Sequence, residues 1–141
     1  MSSSYTKLFV HFVWATRLRE ALITPALAPR IHGYLSSRSR ELNCVPLAVG
    51  GVADHVHVLL WMSPEVGVAQ VARELKAPTT RFIHRVLHLP EFAWQEGYGA
   101  FTLRESEVEV VRLYVDRQIS HHAEGTIVDE WERDEPPPPE T

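Results

Sequence analysis

The amino-acid sequence predicts an α+β fold: a ferredoxin-like, RRM-like antiparallel sheet with helices on one face and one more helix at the C-terminal end. Three observations predict it. Apolar residues repeat with a period of two and then of roughly 3.6, in the order strand, helix, strand, strand, helix, strand, helix. No segment repeats another. The length, 141 residues and 16.1 kDa, is that of one compact domain.

Residues 5–14 are rich in β-branched and aromatic types, with Thr6, Leu8, Val10, Phe12 and Trp14 on one face, which predicts the first strand. Thr24-Pro25 sets a cap before a proline at the first helical position. Helix-compatible residues then run to about Leu42, with Gly33 a weak point. Val45 to Gly50 and His55 to Met62 read as strands, and Gly50-Gly51-Val52-Ala53-Asp54 supplies the turn between them, so the two form a hairpin that Ser63-Pro64 ends. Val68, Val71, Ala72, Leu75, Thr79, Phe82, Ile83 and Val86 recur at three and four residues, marking an amphipathic second helix that Pro78 is expected to kink or interrupt. A fourth strand is expected around Tyr98 to Leu103. Glu105 to His122 then reads as a third helix with acids in its first turn.

Hydrophobic residues make up 45% of the chain and charged residues 23%, enough to build a core and unlike a disordered polymer. No apolar stretch approaches the roughly 20 residues that cross a bilayer. The N-terminus lacks the basic and apolar regions of a secretory signal, so a cytoplasmic protein without membrane contact is expected. Cys44 is the single cysteine, which excludes an internal disulfide and a multi-cysteine zinc site; any metal must take His, Asp, Glu, Gln or Asn. The net charge of −4 speaks against a strongly basic nucleic-acid binder. The acidity is local, however. Six acids fall between Asp129 and Glu140 with Arg133 the one base, and residues 1–128 hold 13 basic against 12 acidic side chains. Residues 129–141, with Pro136-Pro137-Pro138-Pro139, read as an acidic, proline-rich, solvated tail.

Two short patterns carry chemistry. In Asp54-His55-Val56-His57-Val58-Leu59-Leu60 the alternation of a strand puts His55 and His57 on the same face, where two imidazoles either lie half-buried on the sheet or share a divalent metal. Two histidines leave a metal site incomplete and demand a further ligand. On the third helix, Val108, Val111, Val115 and Ile119 form the stripe that faces the core. Tyr114 and Gln118, four residues apart, share its flank. A phenol attacks a phosphodiester when a metal polarises the phosphate, and a Gln carbonyl oxygen suits a hard cation such as magnesium or manganese. The plainer alternative is a tyrosine packed at the core margin and a surface glutamine.

These residues together resemble the small single-tyrosine transposases of bacterial insertion sequences, of the His-hydrophobic-His superfamily, and their relatives associated with repetitive extragenic palindromes. The likeness runs through Phe9-Val10-His11-Phe12-Val13-Trp14-Ala15-Thr16, the Gly50 to Leu60 segment, Leu75 to Phe82, Trp94 to Phe101, and Tyr114 to His122. It implies His55 and His57 as the metal pair, Gln118 as the third ligand and Tyr114 as the nucleophile. It also implies cleavage and rejoining of single-stranded DNA through a 5′-phosphotyrosine, Mg2+ or Mn2+ as cofactor, and recognition of DNA hairpins. The expected assembly is a homodimer in which the tyrosine helix of one subunit completes the other's site, and the expected transposase domain is residues 1–128. The DNA surface would include Arg73, Lys76, Arg81 and Arg85 of the second helix, whose plain alternative is a solvated face. Trp94 and Tyr98 either pack the sheet or contact bases. His121 and His122 match the pattern without a physical reason to sit at the metal. A catalytically silent or domesticated hairpin-binding regulator on the same scaffold is the competing reading, although a pure binder needs none of His55, His57, Tyr114 and Gln118. A two-histidine phosphoesterase is disfavoured because Val58-Leu59 follows His57 where a Ser or Thr is needed.

Overall fold

The computed structural model describes residues 4–135. Four strands, β1 (Phe9–Ala15), β2 (Val45–Val52), β3 (His55–Trp61) and β4 (Gly99–Leu103), form one antiparallel sheet in the order β2-β3-β1-β4. β1 is buried along its whole length, and β3 everywhere except Trp61, because these central strands are covered on both faces. Helices α1 (Ala28–Glu41) and α2 (Val68–Arg85) lie on one face. There Val10, Phe12 and Trp14 of β1 and Val56, Val58 and Leu60 of β3 meet Ile31, Leu35, Val71, Leu75 and Ile83 in the main core. Helix α3 (Glu105–Asp116) covers the opposite face, where Val111 and Val115 pack on Ala48 and Leu59. The fold is the α+β arrangement the sequence predicts, and among the described residues no helix is long and apolar enough to cross a membrane.

Four expectations are corrected. The first helix starts at Ala28 rather than at Thr24-Pro25: Thr24 closes a turn onto Leu27 and Ala28, and Pro29 is the proline of the first helical turn. Pro78 does not interrupt α2. The proline removes the N–H that would bond the Glu74 carbonyl, and Arg38 of α1 takes its place, donating Nε to that carbonyl at 3.2 Å and Nη2 to the Glu74 carboxylate at 2.6 Å. The third helix breaks at Arg117, whose φ of −111° and ψ of 27° leave the helical range, and resumes as the short α4 (Gln118–Glu124). Ile119 thereby leaves the core stripe and is exposed. Finally, the start of the segment expected to be solvated is partly packed: Asp129 and Glu130 are exposed, but the 3-10 turn at Asp129–Glu132 lays Trp131 beside the second core, and Asp134 is buried. The four-proline run lies outside the described residues.

Two glycines set the height of the layer over the site face. A Cβ at Gly50, opposite His57 on β2, would overlap the backbone carbonyl of Val115 in α3. One at Gly99 on β4 would overlap that of Arg133. Helix and C-terminal segment therefore both lie directly on backbone.

Candidate metal and nucleophile site

The period-two alternation of β3 sends Val56, Val58 and Leu60 into the main core and His55 and His57 towards α3. Both imidazoles are held through Nδ1. His55 Nδ1 lies 2.8 Å from the Asp54 carboxylate, and His57 Nδ1 lies 2.8 Å from Nε2 of His11 on the neighbouring β1. Each ring thus turns its Nε2 into the space beneath α3 and α4, as outer hydrogen bonds orient metal-binding imidazoles. Burial, and then the neighbouring His57, push the His11 imidazole down to about 3, so it is neutral. Burial also lowers His57. His55 moves the other way: burial opposes its cation, but the carboxylates of Glu132 and Asp54 outweigh that and raise it.

From above, the break at Arg117 turns Gln118 inward. Its Oε1 lies 3.2 Å from His55 Nε2 and 3.2 Å from His122 Nε2, while its amide donates to the Tyr114 carbonyl at 3.4 Å. The Tyr114 ring stacks on His121 at 4.6 Å and stands edge-on to Trp131 at 4.9 Å and His57 at 6.0 Å. Its hydroxyl accepts the Val128 N–H at 2.9 Å. Burial raises the phenol above its usual range and keeps it protonated. The C-terminal segment adds Glu132, whose carboxylate lies 2.6 Å from His57 Nε2, 2.6 Å from His122 Nε2 and 3.5 Å from His55 Nε2. Burial works against its charge, yet the imidazoles of His55 and His57 hold it well below the usual carboxylate range.

This donor set fits a divalent cation. His55, His122 and Glu132 each offer a ligand atom, all within 4.8 Å of one another. Two further atoms in the same space, His57 Nε2 and Glu132 Oε2, are buried and face each other as an ion pair at 2.6 Å. Nitrogen and carboxylate or carbonyl oxygen together suit manganese, zinc or, with more oxygen, magnesium.

Of the site residues expected from sequence, the structure brings His55, His57, Tyr114 and Gln118 together within one chain. The α2 set is separated from them by the sheet. Arg73, Arg81 and Arg85 are exposed on the far layer. Lys76 is half-buried there and donates to the carbonyls of Gln95 and Gly97 at 2.8 Å. Trp94 packs against Trp14 and Phe92 and donates its indole N–H to the Lys76 carbonyl, and Tyr98 packs against Phe12, so both belong to the sheet. Sequence reasoning missed Glu132 and the orienting role of His11. The alternation of β1 does place His11 opposite Val10 and Phe12, on the face of the histidine pair; nothing local marks Glu132.

The fold is that of transposases. It is similar to a presumptive transposase from Deinococcus radiodurans R1, with a TM-score of 0.67 and 22% identity over 84% of this chain and 95% of the other. It is also similar to a REP-associated tyrosine transposase bound to a REP hairpin, with a TM-score of 0.59 and 16% identity over 90% and 76% of the two chains. In sequence, residues 4–118 match the family described as "Transposase IS200 like", and the chain belongs to that family. No functionally curated protein matches it.

Proposed function

We propose that the protein is a transposase that cuts and rejoins single-stranded DNA through Tyr114, with a divalent metal, Mg2+ or Mn2+, at His55, His57 and Gln118. One observation carries this reading: Gln118 reaches His55 at 3.2 Å while Tyr114, one helical turn earlier, packs against His57. A pure binding protein has no use for that convergence. The Tyr114 oxygen attacks the phosphorus, an O–P bond to tyrosine forms, the P–O3′ bond breaks, and the phenol's proton ends on the departing 3′ oxygen. Attack by a 3′-hydroxyl on the phosphotyrosine reverses these changes and returns the proton to Tyr114, so the bond energy is conserved without an external source. A bound metal would polarise the phosphate and stabilise charge developing on its oxygens. His11 and Asp54 keep the two imidazoles aimed, and the packing of Trp131 and His121 fixes the tyrosine ring.

Hairpin DNA as substrate is supported by the structural likeness to a transposase solved with a hairpin. Arg73, Arg81 and Arg85 on the open side of α2 are the proposed phosphate contacts. A homodimer exchanging the α3–α4 unit belongs to the same reading. The test is incubation with single-stranded oligonucleotides tiled across the flanks of the protein's own gene, with Mg2+ or Mn2+, followed by denaturing electrophoresis. A metal-dependent protein–DNA adduct that disappears in Tyr114→Phe is expected. Hairpin binding with no adduct on any strand would instead favour the silent regulator.

A further inference from the structure

We propose that Glu132 and His122 are ligands of the metal, so that the ion closes the C-terminal segment onto the sheet; this rests on the reading that the histidine pair binds a divalent cation. The donor atoms already stand where neighbouring ligands of one ion stand. An ion that binds its ligands at about 2.1 Å places adjacent donors about 3 Å apart. Glu132 lies 2.6 Å from His57 Nε2, 2.6 Å from His122 Nε2 and 3.5 Å from His55 Nε2. The contact with His57 is the telling one. Both atoms are buried, they face each other as an ion pair with no other partner for either among the described residues, and His57 is fully buried. In the absence of an ion a proton holds this imidazole and carboxylate together, and a cation bound by both would take that proton's place.

Charge points the same way. His55, His57 and Gln118 supply no negative ligand, and a hard divalent cation favours at least one carboxylate. Glu132 is the carboxylate in reach. Its approach is anchored on both sides: Trp131 stands edge-on to Tyr114 and to His11, and Asp134 pairs with Arg19 at 3.2 Å. Beneath the next residue, Gly99 leaves no room for a side chain. With Gln118 the set numbers five donors, leaving one octahedral position for a phosphate oxygen.

The experiment titrates Mn2+ into the full chain by calorimetry, with His55→Ala, Glu132→Gln and His122→Ala alongside and folding checked by circular dichroism. Expected are one site in the wild type, loss of binding in His55→Ala, and affinity lowered by roughly tenfold or more in Glu132→Gln and in His122→Ala. Pulsed EPR on wild-type protein, which needs no variant, should show three imidazole nitrogens coupled to Mn2+. Mn2+ should also protect residues 126–135 from proteolysis in the wild type and not in Glu132→Gln. Unchanged or tighter binding in Glu132→Gln, or two coupled imidazoles, with His55→Ala still inactive in binding, overturns the proposal and leaves the metal site standing. Absence of wild-type binding, or binding unaffected by His55→Ala, overturns both.

Discussion

His11 Nε2 lies 2.8 Å from His57 Nδ1, with both rings buried and stacked 5.0 Å apart between the two central strands. A histidine that cannot itself face a ligand is thus the group that fixes how His57 does. His11→Ala removes the acceptor and leaves a cavity beside His57. Metal affinity is expected to fall by about 10- to 100-fold with the metal still bound, and His11→Gln, which retains an acceptor, should recover part of it. Calorimetric titration of both variants checks the pair.

Gly50 tests whether α3 must lie on bare backbone. In Gly50→Ala the new methyl meets the Val115 carbonyl and lifts the helix that carries Tyr114. The expected cost is about 2 to 3 kcal/mol, a drop in Tm of roughly 10 °C in a thermal melt, accompanied by weaker metal binding. An unchanged Tm would show that α3 rides higher on the sheet than described.

His32 on α1 supplies a pH dependence away from the histidine pair. Burial lowers its value below the ordinary 6.5, and its Nε2 has no hydrogen-bond partner. Because the folded value is the lower one, acidification protonates the unfolded chain first. The contribution to stability is therefore full above pH 6.5 and declines below it, with a slope of at most about 1.4 kcal/mol per pH unit. His32→Leu should flatten that part of the curve in denaturant melts between pH 7 and pH 5; an identical slope would remove His32 from the account.

Mixing separates the single-chain site from the exchanged one. His55→Ala and Tyr114→Phe chains should each be inactive alone. If α3 and α4 are exchanged between subunits, the mixture regains strand cleavage, because one of its two sites then combines an intact histidine pair with an intact tyrosine. If the contacts within one chain persist during catalysis, as between Gln118 and His55, the mixture stays inactive.

Much of the site is written locally. Alternation along β3 is enough to face His55 and His57 together, and a spacing of four joins Tyr114 to Gln118. The break at Arg117 is not legible, because neither Gly nor Pro marks it; Gln118 is drawn inward by partners on β3 and α3 that are distant or already used in the helix. Glu132 is hidden for a related reason. Composition assigns an acidic, proline-rich end to solvent, whereas its docking depends on Gly99, Trp131 and Arg19, three residues that no short window contains together. Pro78 misleads in the opposite direction, since its broken hydrogen bond is repaired by Arg38 from another helix.

The sheet that carries the histidines on one face and α2 on the other also works as a ruler. On the proposed reading, a DNA strand held by the arginines of α2 and cut at Tyr114 would have to pass round an edge of four paired strands, a path set by the thickness of the protein. The cut would then fall a set number of nucleotides from the held stem, and substitutions on α2 would change which stem is held without moving the cut.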